Sequence, residues 1–212
     1  MSPIRMAYLA AARSAVDLLA DPAVAARWNE PSALAEFGVG GLAGHLASQL
    51  LSVPAVLAEP VPAGDPVGLL DHYARGSWVG ATVDDEVNVT IRRAGEGIAA
   101  EGPGVLVERA AGALRELTAT LPVQPAKRVV HLARGPWSLR LDDYLTTRLM
   151  EIAVHSDDLA VSVGVPTPDL PAEALDPVLS LLARLAVRRH GQPAVLRALS
   201  RAERAPADIT AF

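Results

Sequence analysis

Asp143-Tyr-Leu-Thr-Thr-Arg-Leu-Met-Glu-Ile-Ala-Val-His-Ser-Asp-Asp-Leu-Ala160 decides how this chain is read. An α-helix advances by about 100° per residue, which puts Tyr144, Arg148, Glu151, His155 and Asp158 within an arc of roughly 80°. That is the spacing of a core seam, yet every member is polar or ionisable. Leu141, Leu145, Leu149, Ile152 and Leu159 occupy the neighbouring arc. The helix therefore carries an apolar stripe and a polar stripe side by side. A buried charge left unpaired is costly, so the polar stripe either faces water or meets a compensating charge.

A divalent cation is one such charge. Glu151 and His155 are four residues apart and stack on one helix face, where both can point at one ion. A carboxylate oxygen and an imidazole nitrogen suit zinc at about 2.0–2.2 Å. Glu-x-x-x-His is also a common accident of helical sequence, and surface pairs such as Arg148 with Glu151 contribute little. A third ligand changes the balance. Val39 to Ala58 reads as a helix whose apolar face is Leu42, Leu46, Leu50 and Val53, with His45 and Gln49 on its flank. His45 is the histidine set inside an apolar helix among small residues, Gly40, Gly41, Ala43, Gly44 and Ala47, which allow close helix approach. The bland reading of His45 is a core histidine bonded to a carbonyl.

Outward from these two helices the pattern stays helical. Pro3–Leu19 spaces Ala7, Ala11, Ala15, Val16 and Leu19 along one face and breaks at Asp21-Pro22. Trp28 to Glu36 is a connector, and Glu59 to Gly64 a loop. Helices are expected near Pro66–Arg75, Asp84–Ala100 and Pro103–Thr120, the last with an apolar row of Val107, Ala111, Leu114 and Leu117. Between Pro122 and Pro136 lies a second connector, where Arg128 to Ala133 and Trp137 to Leu141 can form a small hairpin. The polar-striped helix runs Leu141–Val163 and ends before the prolines of Val165–Pro171. Ala172–His190 and Ala194–Glu203 follow, the former with an amphipathic row of Val178, Leu182, Leu185 and Ala186 that reads as core more readily than as a dimer face. The expected architecture is all-α: a bundle over 1–165 and a helical extension over 166–212 packed on it.

Composition supports this and removes several functions. Half the residues are hydrophobic but only 4% are aromatic, so the core rests on Ala, Leu and Val, which suits close-packed helices. A formal net charge of −5 supplies no positive field to gather nucleic acid. There is no cysteine, which excludes disulfides, a thiolate zinc site and a protein-derived thiol nucleophile. Met1 to Ala20 is interrupted by Arg5, Arg13 and Asp17 and lacks a signal-peptide core. The apolar run Leu42 to Leu57 contains His45, Gln49 and Pro54 and reads as too short to span a bilayer. A cytoplasmic monomer or homodimer without a membrane partner is the expectation. Gly38, Gly40, Gly41 and Gly44 lack the lysine and preceding strand of a phosphate loop. His72, His131 and His190 have no partner at ligand spacing; His131 stands out because its connector can fold over the site.

Trp28-Asn-Glu-Pro-Ser-Ala-Leu, then Val39-Gly-Gly-Leu-Ala-Gly-His45-Leu, resembles the start of the DinB-like family, in particular the branch of the mycothiol-dependent maleylpyruvate isomerase N-terminal domain. Tyr144-Leu-x-x-Arg148-Leu-x-Glu151-x-x-x-His155-x-x-Asp158-Leu159 resembles that branch's second signature. The resemblance covers about residues 5 to 163 and implies a four-helix bundle with a metal at one end of its core. It implies His45, Glu151 and His155 as ligands, with water completing the shell; Asp158 and Arg148 match recurring family positions and read as support for the ligands or helix pairing, and Tyr144 and Gln49 are further candidates, with them, to support the ligands or orient a substrate. It also implies an external thiol, mycothiol or a relative, as co-substrate. Two departures stand against carrying over the isomerase activity itself. The isomerase has a separate α/β domain after its bundle, where this chain reads as helices, and Phe37-Gly-Val-Gly-Gly lacks a tryptophan often found before the first histidine.

Three ligands and an open position make a catalytic type of site. The leading reading is a zinc-dependent thiol transferase or thiol-dependent isomerase acting on a small electrophile. Arg148 is then a candidate to orient Glu151 or a substrate carboxylate, and Arg128, Arg134 and Arg140 are candidates for contacts to the thiol cofactor. Metal-assisted hydrolysis uses the same residues. A non-catalytic bundle that holds a metal or small molecule is the reading from another class.

Overall fold

In the computed structural model, which describes residues 1–76, 79–82, 84–132 and 135–212, α1 (Pro3–Leu19) starts at Ser2, whose hydroxyl accepts from the Arg5 amide. The Asp21-Pro22 pair that stops α1 also starts a short α2 (Pro22–Ala26), a turn the periodicity did not signal. The Asp21 carboxylate accepts from the Ala23 amide, and proline at the first helical position loses no hydrogen bond. α3 (Val39–Ala58), α4 (Leu69–Arg75), α5 (Glu86–Ala99) and α6 (Pro103–Thr120) follow. β1 (Val129–His131) and β2 (Ser138–Arg140) then form an antiparallel hairpin, with Val130 opposite Leu139 and both buried. α7 (Leu141–Val163), α8 (Ala172–His190) and α9 (Gln192–Ser200) complete the order. Among the described residues the fold is all-α but for that hairpin.

α4 and α9 differ from expectation at their ends. Val67 donates its amide to the Ser138 carbonyl, so the chain before α4 is held extended against the hairpin and the helix starts at Leu69 rather than Pro66. Gly191, at φ 85°, adopts a conformation that side-chain-bearing residues resist. α8 stops there and α9 begins one residue later.

Four helices, α1, α3, α6 and α7, surround the core, with α1 diagonal to α3 and α6 diagonal to α7. Partners fix their directions. Arg5 meets Asp142 at the starts of α1 and α7, so these run parallel. Along α3 and α7, Ser52 meets Tyr144, Gln49 meets Arg148 and His45 meets Glu151, an antiparallel register. The centre is Ala and Leu with few large rings: Ala7, Ala11 and Ala15 of α1 lie against Leu46 and Leu50 of α3 and Leu145, Leu149 and Ile152 of α7 in one buried cluster. α8 packs on α1 and α7 through Val178, Leu181 and Leu185, so its apolar row belongs to the chain's own core.

α3 is 20 residues long and apolar enough to cross a membrane by length and composition, longer than the run from Leu42 suggested. Its apolarity is accounted for by position, since it contacts α5, α6 and α7. α5 packs on it backbone to backbone. A Cβ on Gly44 would collide with the Gly95 carbonyl oxygen, and one on Gly95 would sit 2.5 Å from the Gly41 carbonyl oxygen. The glycines flanking His45 are what allow this approach.

Candidate metal centre

His45 reaches α7 from the glycine-rich start of α3. Its Nε2 lies 3.5 Å from Glu151 Oε2, and His155 Nε2 lies 3.2 Å from the same oxygen. The donor atoms of His45, Glu151 and His155 all fall within 4.8 Å of one another. Ligands about 2.0–2.1 Å from a tetrahedral ion are about 3.3–3.4 Å apart, so the two nitrogen–oxygen separations are close to two edges of such a shell. The two imidazoles meet edge to face, with centroids 4.6 Å apart, and the Phe37 ring lies tilted beside His45 with centroids 6.1 Å apart. Two imidazole nitrogens and one carboxylate oxygen are a donor set that zinc accepts. Glu151 and His155 keep 23% and 19% of their side-chain surface, so the cluster is open on one side.

Asp158 holds His155 from behind: its Oδ2 is 2.9 Å from His155 Nδ1. A carboxylate there fixes the ring's orientation and leaves Nε2 to face Glu151 and His45. The electrostatics favour a cation. Burial opposes charge on His155, but Asp158 and Glu151 hold its pKa up at about 9. Burial pushes the His45 pKa down, against the pull of Glu151. Burial also works against the Glu151 carboxylate, yet hydrogen bonds from His155 and His45, with Arg148 nearby, keep it well below the usual carboxylate range.

The other polar members of the α7 stripe form a wall one turn away. Arg148 Nη1 donates to Gln49 Oε1 at 2.7 Å, and its Nε to Thr147 Oγ1. Gln49 is fixed by its own amide, which donates to the His45 carbonyl. Tyr144 lies beneath the guanidinium, 5.4 Å from ring centre to Cζ, with its hydroxyl 3.3 Å from Ser52 Oγ. The candidate residues on α3 and α7 are thus brought together. Those in the hairpin are not. Arg128 donates to the Leu57 and Glu59 carbonyls and ties the hairpin to the end of α3. Arg140 is an exposed residue at the start of α7, Arg134 lies outside the described residues, and among the described residues nothing joins His131 to the cluster.

Sequence reasoning passed over three groups. Tyr8 of α1 is fully buried and donates to the Gln49 carbonyl. His72 and Tyr73 of α4 are buried, with Trp137 Nε1 donating to His72 Nδ1 at 3.0 Å. Tyr8 shares a helix face with Ala11 and Ala15, so its place could be read from periodicity. His72 could not, because Trp137, which buries it, lies 65 residues on.

The sequence model of the family described as mycothiol maleylpyruvate isomerase N-terminal domain matches residues 9–160. That span contains all three cluster residues and the polar wall beside them. No curated protein and no solved structure matches the chain.

Proposed function

Since the chain belongs to the family of the mycothiol maleylpyruvate isomerase N-terminal domain, we propose that it is a metal-dependent enzyme that uses a low-molecular-weight thiol on a small electrophile, as a thiol transferase or thiol-dependent isomerase. His45, Glu151 and His155 would hold the metal, with zinc favoured by the donor set. Such an ion lowers the pKa of a bound thiol or water and polarises a carbonyl. The observation that carries the reading is the convergence of two imidazoles and a carboxylate, from helices far apart in sequence, with donor atoms all within 4.8 Å of one another.

The chain's own residues have separate tasks. Asp158 orients His155 through its Nδ1. Gln49 and Tyr144 place the Arg148 guanidinium beside the cluster. Phe37, half-buried, sets an apolar ring beside His45. With no cysteine in the sequence, the thiol comes from outside, and mycothiol is the candidate the family supplies. A reduced thiol pool suits a cytoplasmic setting. Hydrolysis by activated water is the second reading, favoured by the solvent access that Glu151 and His155 retain.

Elemental analysis of purified wild type against His155→Ala is the first test. We expect about one divalent ion per chain in the wild type and a loss of affinity beyond the roughly 10–100-fold that disturbing an outer partner causes. Equal, near-zero metal in both overturns the proposal. Mycothiol and an unsaturated carbonyl compound, followed by mass spectrometry, then separate the readings. A thiol adduct or isomer supports thiol chemistry, and hydrolysed product alone supports the alternative.

A further inference from the structure

Arg148 is a half-buried cation held by no carboxylate at contact distance. Among the described residues no carboxylate forms an ion pair with it. Its two hydrogen bonds go to neutral oxygens, Gln49 Oε1 and Thr147 Oγ1, and Nη2 has none among the described residues. Glu151, one turn on, is felt across space, as are Tyr144, Tyr73 and Tyr8. These are the chain's three tyrosines, contributed by α7, α4 and α1. Burial works against the charge, but those neighbours keep the guanidinium protonated.

Gln49 sharpens the point. Its amide nitrogen is committed to the His45 carbonyl at 2.9 Å, so its oxygen is presented to Arg148 by design of the helix. A carboxylate in its place would neutralise the guanidinium. The amide holds it in position and leaves its charge available. The guanidinium's planar fork matches a carboxylate through two parallel hydrogen bonds, and such a contact would supply the missing counter-ion.

We propose that Arg148, positioned by Gln49 and Tyr144, binds a carboxylate of the small-molecule substrate beside the His45–Glu151–His155 cluster. Its role as a substrate contact rests on the function proposed above; the presence of an anion site does not. On an α-helix, Arg148 precedes Glu151 by about 4.5 Å of rise and His155 by about 10 Å. A carboxylate seated on the guanidinium therefore sets a reactive group a few carbon atoms away against the cluster. A carboxylate fits better than phosphate, because its two oxygens match the planar guanidinium with two parallel hydrogen bonds, whereas a lone arginine offers too few donors for a phosphate.

Calorimetric titration of the purified protein with succinate, succinamide and inorganic phosphate tests this, with metal content measured on every sample. We expect succinate to saturate the wild type and succinamide not to bind. Arg148→Gln should weaken succinate about thirtyfold or more at unchanged metal content. Gln49→Glu, which builds a carboxylate against the guanidinium, should weaken succinate just as much. That variant keeps the test meaningful where Arg148→Gln folds poorly. Equal succinate binding in all three proteins, no binding by the wild type, or tighter binding of phosphate than of succinate overturns the proposal. A metal-free protein that still binds succinate through Arg148 retains the anion site and removes the thiol-enzyme reading. A metal-loaded protein that ignores succinate does the reverse.

Discussion

Arg5 at the start of α1 and Arg148 in the middle of α7 are both drawn into the same bundle, and they are satisfied in opposite ways. Arg5 is only 2% exposed. Its Nε pairs with Asp142 at 2.9 Å, its Nη1 donates to the Leu121 and Gln124 carbonyls, and its Nη2 to the Pro125 carbonyl. Every part of the guanidinium is used, and the result joins the starts of α1 and α7 to the end of α6. Arg148 has two neutral partners and no paired carboxylate. The same side chain closes one region of the bundle and leaves another electrically incomplete. A completed network marks a residue that holds the fold; an incomplete one beside a ligand-like cluster marks a residue waiting for something the chain does not contain.

The largest expected effect tests that contrast directly. Arg5→Met strands Asp142 and three carbonyls, and breaking a buried pair from one side costs about 3–5 kcal/mol. Arg148→Met replaces a half-buried cation that pairs with no carboxylate by apolar volume, for a change within about 1 kcal/mol of zero, of either sign. Urea unfolding of the two variants beside the wild type reads both numbers. Similar losses in the two would end the distinction.

The two regions were also unequally legible. α7 could be bounded from sequence because the prolines within Val165–Pro171 cannot continue a helix, and Gly164, at φ 71°, makes the left-handed stop itself. Its polar stripe could be read because a seam of charged residues is anomalous. His45 could be singled out because its apolar, glycine-rich surroundings made a polar residue conspicuous. Arg5 offered no such signal. It is one charge near the chain start, and its acceptors are backbone carbonyls 116 to 120 residues away, whose availability depends on how α6 ends. α2 went unseen because five residues carry no period. The place of Arg128 was hidden for a related reason: charge alone does not reveal that a guanidinium will cap the carbonyls of another helix.

A mid-sized effect comes from the contact that delivers His45 to the open region. Gly44→Ala places a methyl group into the Gly95 carbonyl. Backbone cannot turn aside as a side chain does, so α5 must move away from α3. Overpacking of this kind costs about 1–3 kcal/mol. Because residue 44 adjoins His45, metal retention should fall together with stability. Gly97, whose added Cβ would meet nothing within 4 Å, is the control: Gly97→Ala should be neutral or slightly stabilising in urea. A Gly44→Ala protein with wild-type stability and metal content would show that the close approach does not set the cluster's geometry.

The smallest effect concerns how the open region responds to acid. His72 accepts a hydrogen bond from Trp137 on Nδ1, which requires the neutral ring. Burial, reinforced by Arg148 and opposed by Glu151, pushes its pKa down to about 4. An unfolded chain binds this proton near pH 6.5. Above that pH both states are neutral and His72 has no influence; as pH falls from about 6.5 to about 4, only the unfolded state gains the proton, so stability is lost. Between pH 7 and pH 5 the expected loss is about 1–2 kcal/mol. His72→Gln keeps an acceptor for Trp137 without a titrating group, so its stability should fall less over that interval. His155 and the carboxylates titrate in both proteins and cancel in the difference. Parallel pH curves for the two would mean that His72 titrates alike in the folded and unfolded states, and that the region around Arg148 accepts a second cation more readily than an unpaired guanidinium permits.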